Sequence, residues 1–152
     1  ESMKSLSFPI TSALVDGGFT YPEFVQFTEK LVGENRTTGA NQSEEYLGYT
    51  RLNLQRMGRW NKTSKVSAPL EQLMRTVNRS QLWLLITEAW CGDGAQSIPH
   101  LAKLAALNSL ISLKIVLLNQ LIIVFWKKLK IYLFEKMYYT NFLYNWVIRK
   151  AL

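Results

Sequence analysis

The residue with the clearest potential for chemistry is Cys91, the single cysteine of the chain. It lies in the segment 90–94, Trp-Cys-Gly-Asp-Gly, between a short apolar run and a helical pattern. A thiol at the start of a helix meets unpaired backbone N–H groups and the positive end of the helix dipole, which favour the nucleophilic thiolate. The nearby carboxylates of Glu88 and Asp93 favour the neutral thiol, and the sequence leaves open which effect is larger. The alternative to a reactive Cys91 is a buried cysteine that is inert and only packs in the core. We take Cys91 as the candidate catalytic residue.

The rest of the composition excludes several other kinds of site. With one cysteine and one histidine, the chain has neither an internal disulfide framework nor the usual Cys/His ligand set for zinc. No glycine-rich phosphate loop and no dinucleotide-binding fingerprint is present. We therefore expect no metal and no resident cofactor. At 152 residues, with 48% hydrophobic and 19% charged residues, the chain fits one globular domain.

The elements that position Cys91 form a β-α-β unit. Residues 81–87 read as a buried strand, residues 95–107 resume a helical pattern, and residues 111–118 alternate before becoming wholly apolar, as a second strand should. Cys91 is thus expected at the turn from the first strand to the helix.

The first 79 residues are predicted to be mainly helical. A Thr cap, a Pro in the first turn and a Glu three residues after the cap predict a helix over about residues 21 to 32. Residues 33–42 read as a polar loop. A second helix begins at Ser43 and ends near Gly58 or Lys62, and a third begins at Ser67. For the second helix we expect an apolar stripe of Tyr46, Tyr49, Leu52, Leu54 and Met57.

Together these motifs resemble those of a known family. The run 90–94 between a strand and a helix that contains Pro99 resembles the Trp-Cys-Gly-Pro-Cys active site of the thioredoxin superfamily. The wider segment 87–99, with an upstream Arg-Thr-Thr-Gly-Ala-Asn-Gln-Ser at 36–43, is similar to a bacterial branch of thioredoxin-like proteins with a helical N-terminal extension. The resemblance covers about residues 20 to 118. It implies an α/β fold with a thioredoxin-like three-layer βαβ core.

The departures from the family bear on function. By resemblance Cys91 matches the attacking cysteine, but the position of the resolving cysteine is Gly94, and the position of the family's buried acid is Leu85. Turnover by two thiols of one chain is therefore excluded, because releasing a mixed disulfide needs a second thiol. The chain also has no proline after Pro99 and no glycine after Gly94. We expect the C-terminal half of the fold to be missing or replaced.

The last 34 residues differ in composition from the rest. Residues 119–152 contain six basic residues and one acidic residue. Their excess of positive charge accounts for most of the net charge of +7. They have neither a helical nor a strand period, and their apolar runs fall short of the roughly 20 residues that span a bilayer. We therefore expect neither a membrane span nor a nucleic-acid site, and a dimer through this tail is an open alternative. The predicted organisation is a helical extension at 1–79, a βαβ core at 80–118 and an atypical tail at 119–152.

Two functions remain open from the sequence. The first is a thioredoxin-like protein in which Cys91 exchanges thiols and disulfides one at a time, with protein or low-molecular-weight thiols as partners and glutathione as a potential co-substrate. The second is a redox-inactive binding module of the same fold. In either case the segment around Cys91 would contact the partner through Trp90, Gly92, Asp93 and Gly94. Residues 1–11 have no secretory pattern, so we expect a cytoplasmic protein.

Overall fold

A computed structural model describes residues 10–121 and the backbone of residues 147–151. Four helices come first along the chain: α1 (Ser12–Asp16), α2 (Tyr21–Gly33), α3 (Glu44–Thr63) and α4 (Ala68–Arg75). They are followed by β1 (Gln81–Thr87), α5 (Gly92–Ala105), β2 (Ile111–Leu117) and β3 (Val147–Ala151). The α/β class and the βαβ unit predicted from the sequence are confirmed.

The sheet has β1 at its centre. β1 pairs in parallel with β2, from Gln81 opposite Ile111 to Thr87 opposite Leu117, and the order of the strands is β2-β1-β3. β3 pairs with β1 in the antiparallel direction. On its other edge β2 forms a bridge with Phe19, which exchanges two backbone hydrogen bonds of 2.8 Å with Ile115. The strand that carries the Cys91 turn is therefore flanked by strands on both sides.

Local signals explain where the helices begin. The Thr20 hydroxyl accepts from the Glu23 N–H, while the Glu23 carboxylate accepts from the Thr20 N–H over 2.7 Å, which completes a capping box for α2. The Ser43 side chain caps α3, and Ser67 is the N-cap residue of α4. The predicted helix at about residues 21 to 32 is confirmed, whereas α1, which the sequence analysis did not predict, starts at a Thr11 cap.

The buried face of α3 differs from the predicted stripe. The buried residues are Leu47, Thr50, Asn53 and Met57, whereas Tyr49 and Leu52 are exposed. The prediction was right for Met57 and for Leu54, which packs against the core, and wrong for Tyr49 and Leu52. The face is shifted because two polar residues, Thr50 and Asn53, point inward and find hydrogen-bond partners there. A search for apolar periodicity does not detect a face of this kind.

The sheet is covered on both faces, as a three-layer arrangement requires. On one face α2, α3 and α5 pack against β1 and β2 in a cluster that contains Phe24, Met57, Leu85, Ala89, Ala95, Ile98, Ile115 and Leu117. On the other face α1 and residue 121 contribute to a smaller cluster of Leu14, Leu84, Val116 and Leu121. Neighbouring residues of β1, Leu84 and Leu85, therefore face opposite layers, as the alternation of a strand dictates.

Several expectations about the C-terminal tail lie outside the described residues. The structure describes neither 122–146 nor 152, so the expected loss of the second half of the fold and the alternative of a dimer through the tail stay predictions. The boundaries of the three predicted segments stay predictions as well. Within the described residues, none of the helices combines the length and apolar character that a bilayer crossing needs.

Candidate functional site

Cys91 lies where the central strand β1 is followed by helix α5. β1 ends at Thr87, and the turn after it is closed by a hydrogen bond of 2.9 Å from the Cys91 N–H to the Glu88 carbonyl. Cys91 is the N-cap residue of α5, and its carbonyl accepts from the Ala95 N–H over 3.1 Å. The helix begins at Gly92, three residues before the predicted start. Only 8% of the Cys91 surface is exposed.

A guanidinium group lies beside the first turn of α5. Arg56 Nη1 would be 3.4 Å from a Cβ atom placed on Gly92. The same Nη1 donates to Asn53 Oδ1 over 3.1 Å, and Asn53 Nδ2 donates to the Ala89 carbonyl over 3.0 Å. The buried amide of Asn53 therefore fixes both the Arg56 side chain and the backbone two residues before Cys91. Positive charge at this place adds to the field of the helix N-terminus.

Trp90 is packed between α3 and the loop that precedes it. Its ring meets the Tyr46 ring edge to face, with the centroids 4.9 Å apart. Gly39 approaches it from the loop, since a Cβ there would lie 3.5 Å from Trp90 Nε1. Gly39 has φ of +83°, a conformation that favours glycine. Trp90 thus packs the Cys91 turn against α3 and against this loop.

The loop at 36–43 owes its shape to one glutamine. Gln42 Oε1 accepts from the Thr37 N–H over 3.0 Å, and Gln42 Nε2 donates to the carbonyls of Thr37 (3.0 Å) and Gly39 (2.9 Å). The Thr37 hydroxyl also bonds to that of Thr50 on α3 at 2.5 Å. The polar segment at 36–43 is therefore a loop that is held by hydrogen bonds of Gln42 and Thr37, and it lies against the site.

Thr38 joins this loop to the end of β1. Its Oγ1 accepts from the buried Ala89 N–H over 2.8 Å. The adjacent Glu88 is 5% exposed, and its Oε1 accepts from the Asn119 N–H over 2.9 Å. Burial raises the pKa of the Glu88 carboxyl, and the hydrogen bonds from Thr38 and Asn119 offset part of that rise. The turn before Cys91 is thus held by two segments that are distant in sequence.

Thr38→Val is expected to lower the free energy of unfolding by about 1–3 kcal/mol, because valine has the same shape but leaves the Ala89 N–H buried without an acceptor. The control is Thr63→Val, in which the lost bond is exposed and local to the end of α3, with an expected change within about 0.5 kcal/mol. Chemical denaturation measures both variants. Equal losses would mean that the Thr38 bond does not fasten the turn.

Gly94 fits against Thr87 with no room for a side chain. A Cβ at Gly94 would lie 2.5 Å from Thr87 Oγ1, a separation too short for these atoms. Thr87 is buried, and its hydroxyl donates to the Glu88 carbonyl over 3.3 Å. The position that resembles the resolving cysteine is therefore closed by the last residue of the central strand.

The structure brings the predicted site residues together around one turn. Trp90 and Gly92 are half-buried, Cys91 and Gly94 are buried, and Asp93 is exposed in the first turn of α5. Their roles in catalysis or partner binding stay predictions. The supporting residues Thr38, Asn53, Arg56 and Thr87 were not predicted to lie at the site. The motif segments 36–43 and 87–99 were the available signals for Thr38 and Thr87.

The part of the chain that the structure describes contains no group of three or more His, Cys, Asp or Glu placed to hold a metal ion.

The family whose sequence model matches the chain is described as thioredoxin, and the match spans residues 39–121. It includes α3, α4, β1, α5 and β2, and it covers more than half of the 152 residues. Neither the curated proteins nor the solved structures gave a significant match. The βαβ core, the Trp-Cys-Gly turn and the family match agree, and the chain belongs to the thioredoxin family.

Proposed function

We propose that this protein exchanges thiols and disulfides one at a time through Cys91, without a second thiol of its own. The observation that carries the proposal is the place of Cys91 in a thioredoxin-family chain: it is the N-cap residue of α5, directly after the central strand. The proposed partners are disulfides and thiols of proteins or of small molecules, with glutathione as co-substrate.

The proposed cycle has two exchange steps. The Cys91 thiolate attacks one sulfur of a disulfide; the S–S bond breaks, a mixed disulfide with Cys91 forms, and the other sulfur leaves as a thiolate that takes up a proton. An external thiolate then attacks the partner sulfur of the mixed disulfide and releases Cys91. No net oxidation or reduction of the protein occurs. The external thiol is essential because the sequence contains one cysteine.

Two features near Cys91 support this chemistry. The backbone N–H groups of the first turn of α5 face the N-cap position, and the Arg56 guanidinium lies beside Gly92. Both favour the negative charge that is spread over the reacting sulfurs in the transition state of exchange. Asn53 holds Arg56 in this position, so the positive charge does not depend on a freely moving side chain.

The burial of Cys91 favours a second candidate function. With 8% of the residue exposed, Cys91 presents little surface to a protein disulfide. A redox-inactive module would instead hold a partner through the surface around Trp90 and Asp93. The two functions differ in one observable, which is whether the native protein forms a mixed disulfide.

The test is to incubate the full chain with oxidised glutathione and to measure the protein mass. We expect one glutathione per chain in the wild type, reversed by reduced glutathione, and none in Cys91→Ser, because no other thiol exists. The same incubation in denaturant is the control for access. A chain that reacts in denaturant but stays unmodified when folded would exclude the exchange function and support the binding module.

A further inference from the structure

Glu88 and Asn119 each have a buried side-chain oxygen without a hydrogen-bond partner. Within the described residues, neither Glu88 Oε2 nor Asn119 Oδ1 has a donor. The two residues are already joined, since the Asn119 N–H donates to the other carboxyl oxygen, Glu88 Oε1. While Glu88 is ionised, both orphaned atoms are acceptors and cannot satisfy one another. Such a pair is costly in a buried place.

We propose that Glu88 is neutral in the folded protein and donates its proton from Oε2 to Asn119 Oδ1, and that this bond makes it a positioning residue for the Cys91 turn. One proton then satisfies both orphaned oxygens. The Asn119 N–H continues to donate to Oε1, so the carboxyl and the asparagine are held by two hydrogen bonds. We call this pair of bonds the Glu88–Asn119 latch.

The latch connects the segment after β2 to the turn that carries Cys91. Asn119 follows the end of β2 by two residues, and Glu88 follows the end of β1 by one. The Glu88 carbonyl accepts from the Cys91 N–H, and the next residue, Ala89, donates its N–H to the Thr38 hydroxyl. A shift of Glu88 would therefore shift the N-cap of α5.

The charges around Glu88 are consistent with a neutral carboxyl. The titratable or charged residues of the elements around Glu88 are Glu34, Arg36, Glu44, Glu45, Tyr46, Tyr49, Arg51, Arg56, Arg59, Lys62, Cys91, Asp93, His100, Lys103 and Lys114. The nearby cations are engaged elsewhere: Arg36 pairs with Glu34 at 3.3 Å, Arg56 donates to Asn53, and Lys114 donates to the Gly18 carbonyl. No ion pair joins Glu88 to a cation in the described parts of the chain. Burial without a counter-charge raises the pKa of Glu88.

The latch makes the turn sensitive to pH. Because the pKa of Glu88 is higher in the folded than in the unfolded chain, its contribution to stability is fully present below the unfolded value and is lost as the pH rises through the folded one. On ionisation the proton passes to solvent, Oε2 and Oδ1 become two facing acceptors, and the latch opens. No other reactant takes part.

The test is amide hydrogen exchange of the full chain, followed by NMR from about pH 4 to about pH 9. Glu88→Gln keeps both bonds at every pH, because its amide donates to Asn119 Oδ1 and its oxygen accepts from the Asn119 N–H. We expect the Asn119 and Cys91 amides to exchange equally fast in the wild type and in Glu88→Gln at low pH. At high pH they should exchange severalfold faster in the wild type.

Two further variants sharpen the result. In Asn119→Ala, the protection of the amides of residue 119 and Cys91 against exchange should be the same at low and at high pH. Both amides should be poorly protected throughout. Glu34→Gln, which changes an exposed carboxylate, should behave like the wild type. A wild type whose protection relative to Glu88→Gln does not change with pH would overturn the proposal. So would a loss of protection in Glu88→Gln at every pH, which is expected if a rotated Asn119 amide donates to an ionised Glu88. None of these readouts depends on thiol exchange at Cys91.

Discussion

Met57→Ala is expected to lower the free energy of unfolding by about 2–5 kcal/mol, the range for truncating a buried methionine to alanine. Met57 is 2% exposed and lies on α3 in the same cluster as Leu85 of β1 and Ile98 of α5. Alanine would leave a cavity between the N-terminal helices and the βαβ unit. Since a domain has a total stability of about 5–15 kcal/mol, this loss is a large fraction of it.

The matched control for Met57 is Leu52→Ala on the same helix. Leu52 is 40% exposed, so its truncation should change the free energy of unfolding by no more than about 0.5 kcal/mol. Urea denaturation, with the slope compared between variants, gives both values. Similar losses at the two positions would show that α3 does not share a core with the sheet. A large loss at Met57 alone would show that this helix belongs to the thioredoxin unit itself.

Gly94→Cys, which restores a thiol at the position of the missing resolving cysteine, is expected to destabilise the fold by about 1–3 kcal/mol. The reason is the contact with Thr87, whose Oγ1 would lie 2.5 Å from the new Cβ. Both residues are buried, so the strain cannot be relieved by movement into solvent. The chain therefore cannot regain a two-thiol site by this one substitution without cost.

Two comparisons test the cause of that cost. Gly48→Ala is a helical glycine substitution in α3 with no atom within 4 Å of the new Cβ, so it should stabilise by about 0.5–1 kcal/mol. Gly94→Ala should destabilise, although the substitution is the same. In the double variant Thr87→Ala/Gly94→Cys the loss should be smaller than the sum of the two single losses. Additive losses would place the strain elsewhere than at Thr87.

The fit of Gly94 against Thr87 also bears on function. A thioredoxin with two cysteines stores and releases a disulfide within its own chain, whereas in this chain the second position is filled by the end of β1. The position of the resolving cysteine therefore has no room for a side chain, and the sequence contains one cysteine. Both observations agree with the proposal that exchange at Cys91 uses an external thiol.

The sequence by itself determined the local elements and their order. Capping residues such as Thr20 and Ser43 and the buried run of β1 each act over a few residues, so their signals are readable without a partner. The same holds for Cys91 at the strand-to-helix turn, since strand, turn and helix are contiguous there. The family resemblance added the expected three-layer βαβ core.

Only the tertiary structure decided which polar residues support the site. Thr38 and Ala89 are 51 residues apart, and Asn53 and Ala89 are 36 apart. Asn53 and Thr50 break the apolar period of α3 because their partners lie on other segments, so the sequence pattern pointed to Tyr49 and Leu52 instead. The burial of Cys91 and the closure of Gly94 by Thr87 likewise arise from packing between segments. Apolar periodicity records which side of a helix avoids water, but a buried hydrogen bond needs a partner whose place is fixed only when the chain has folded.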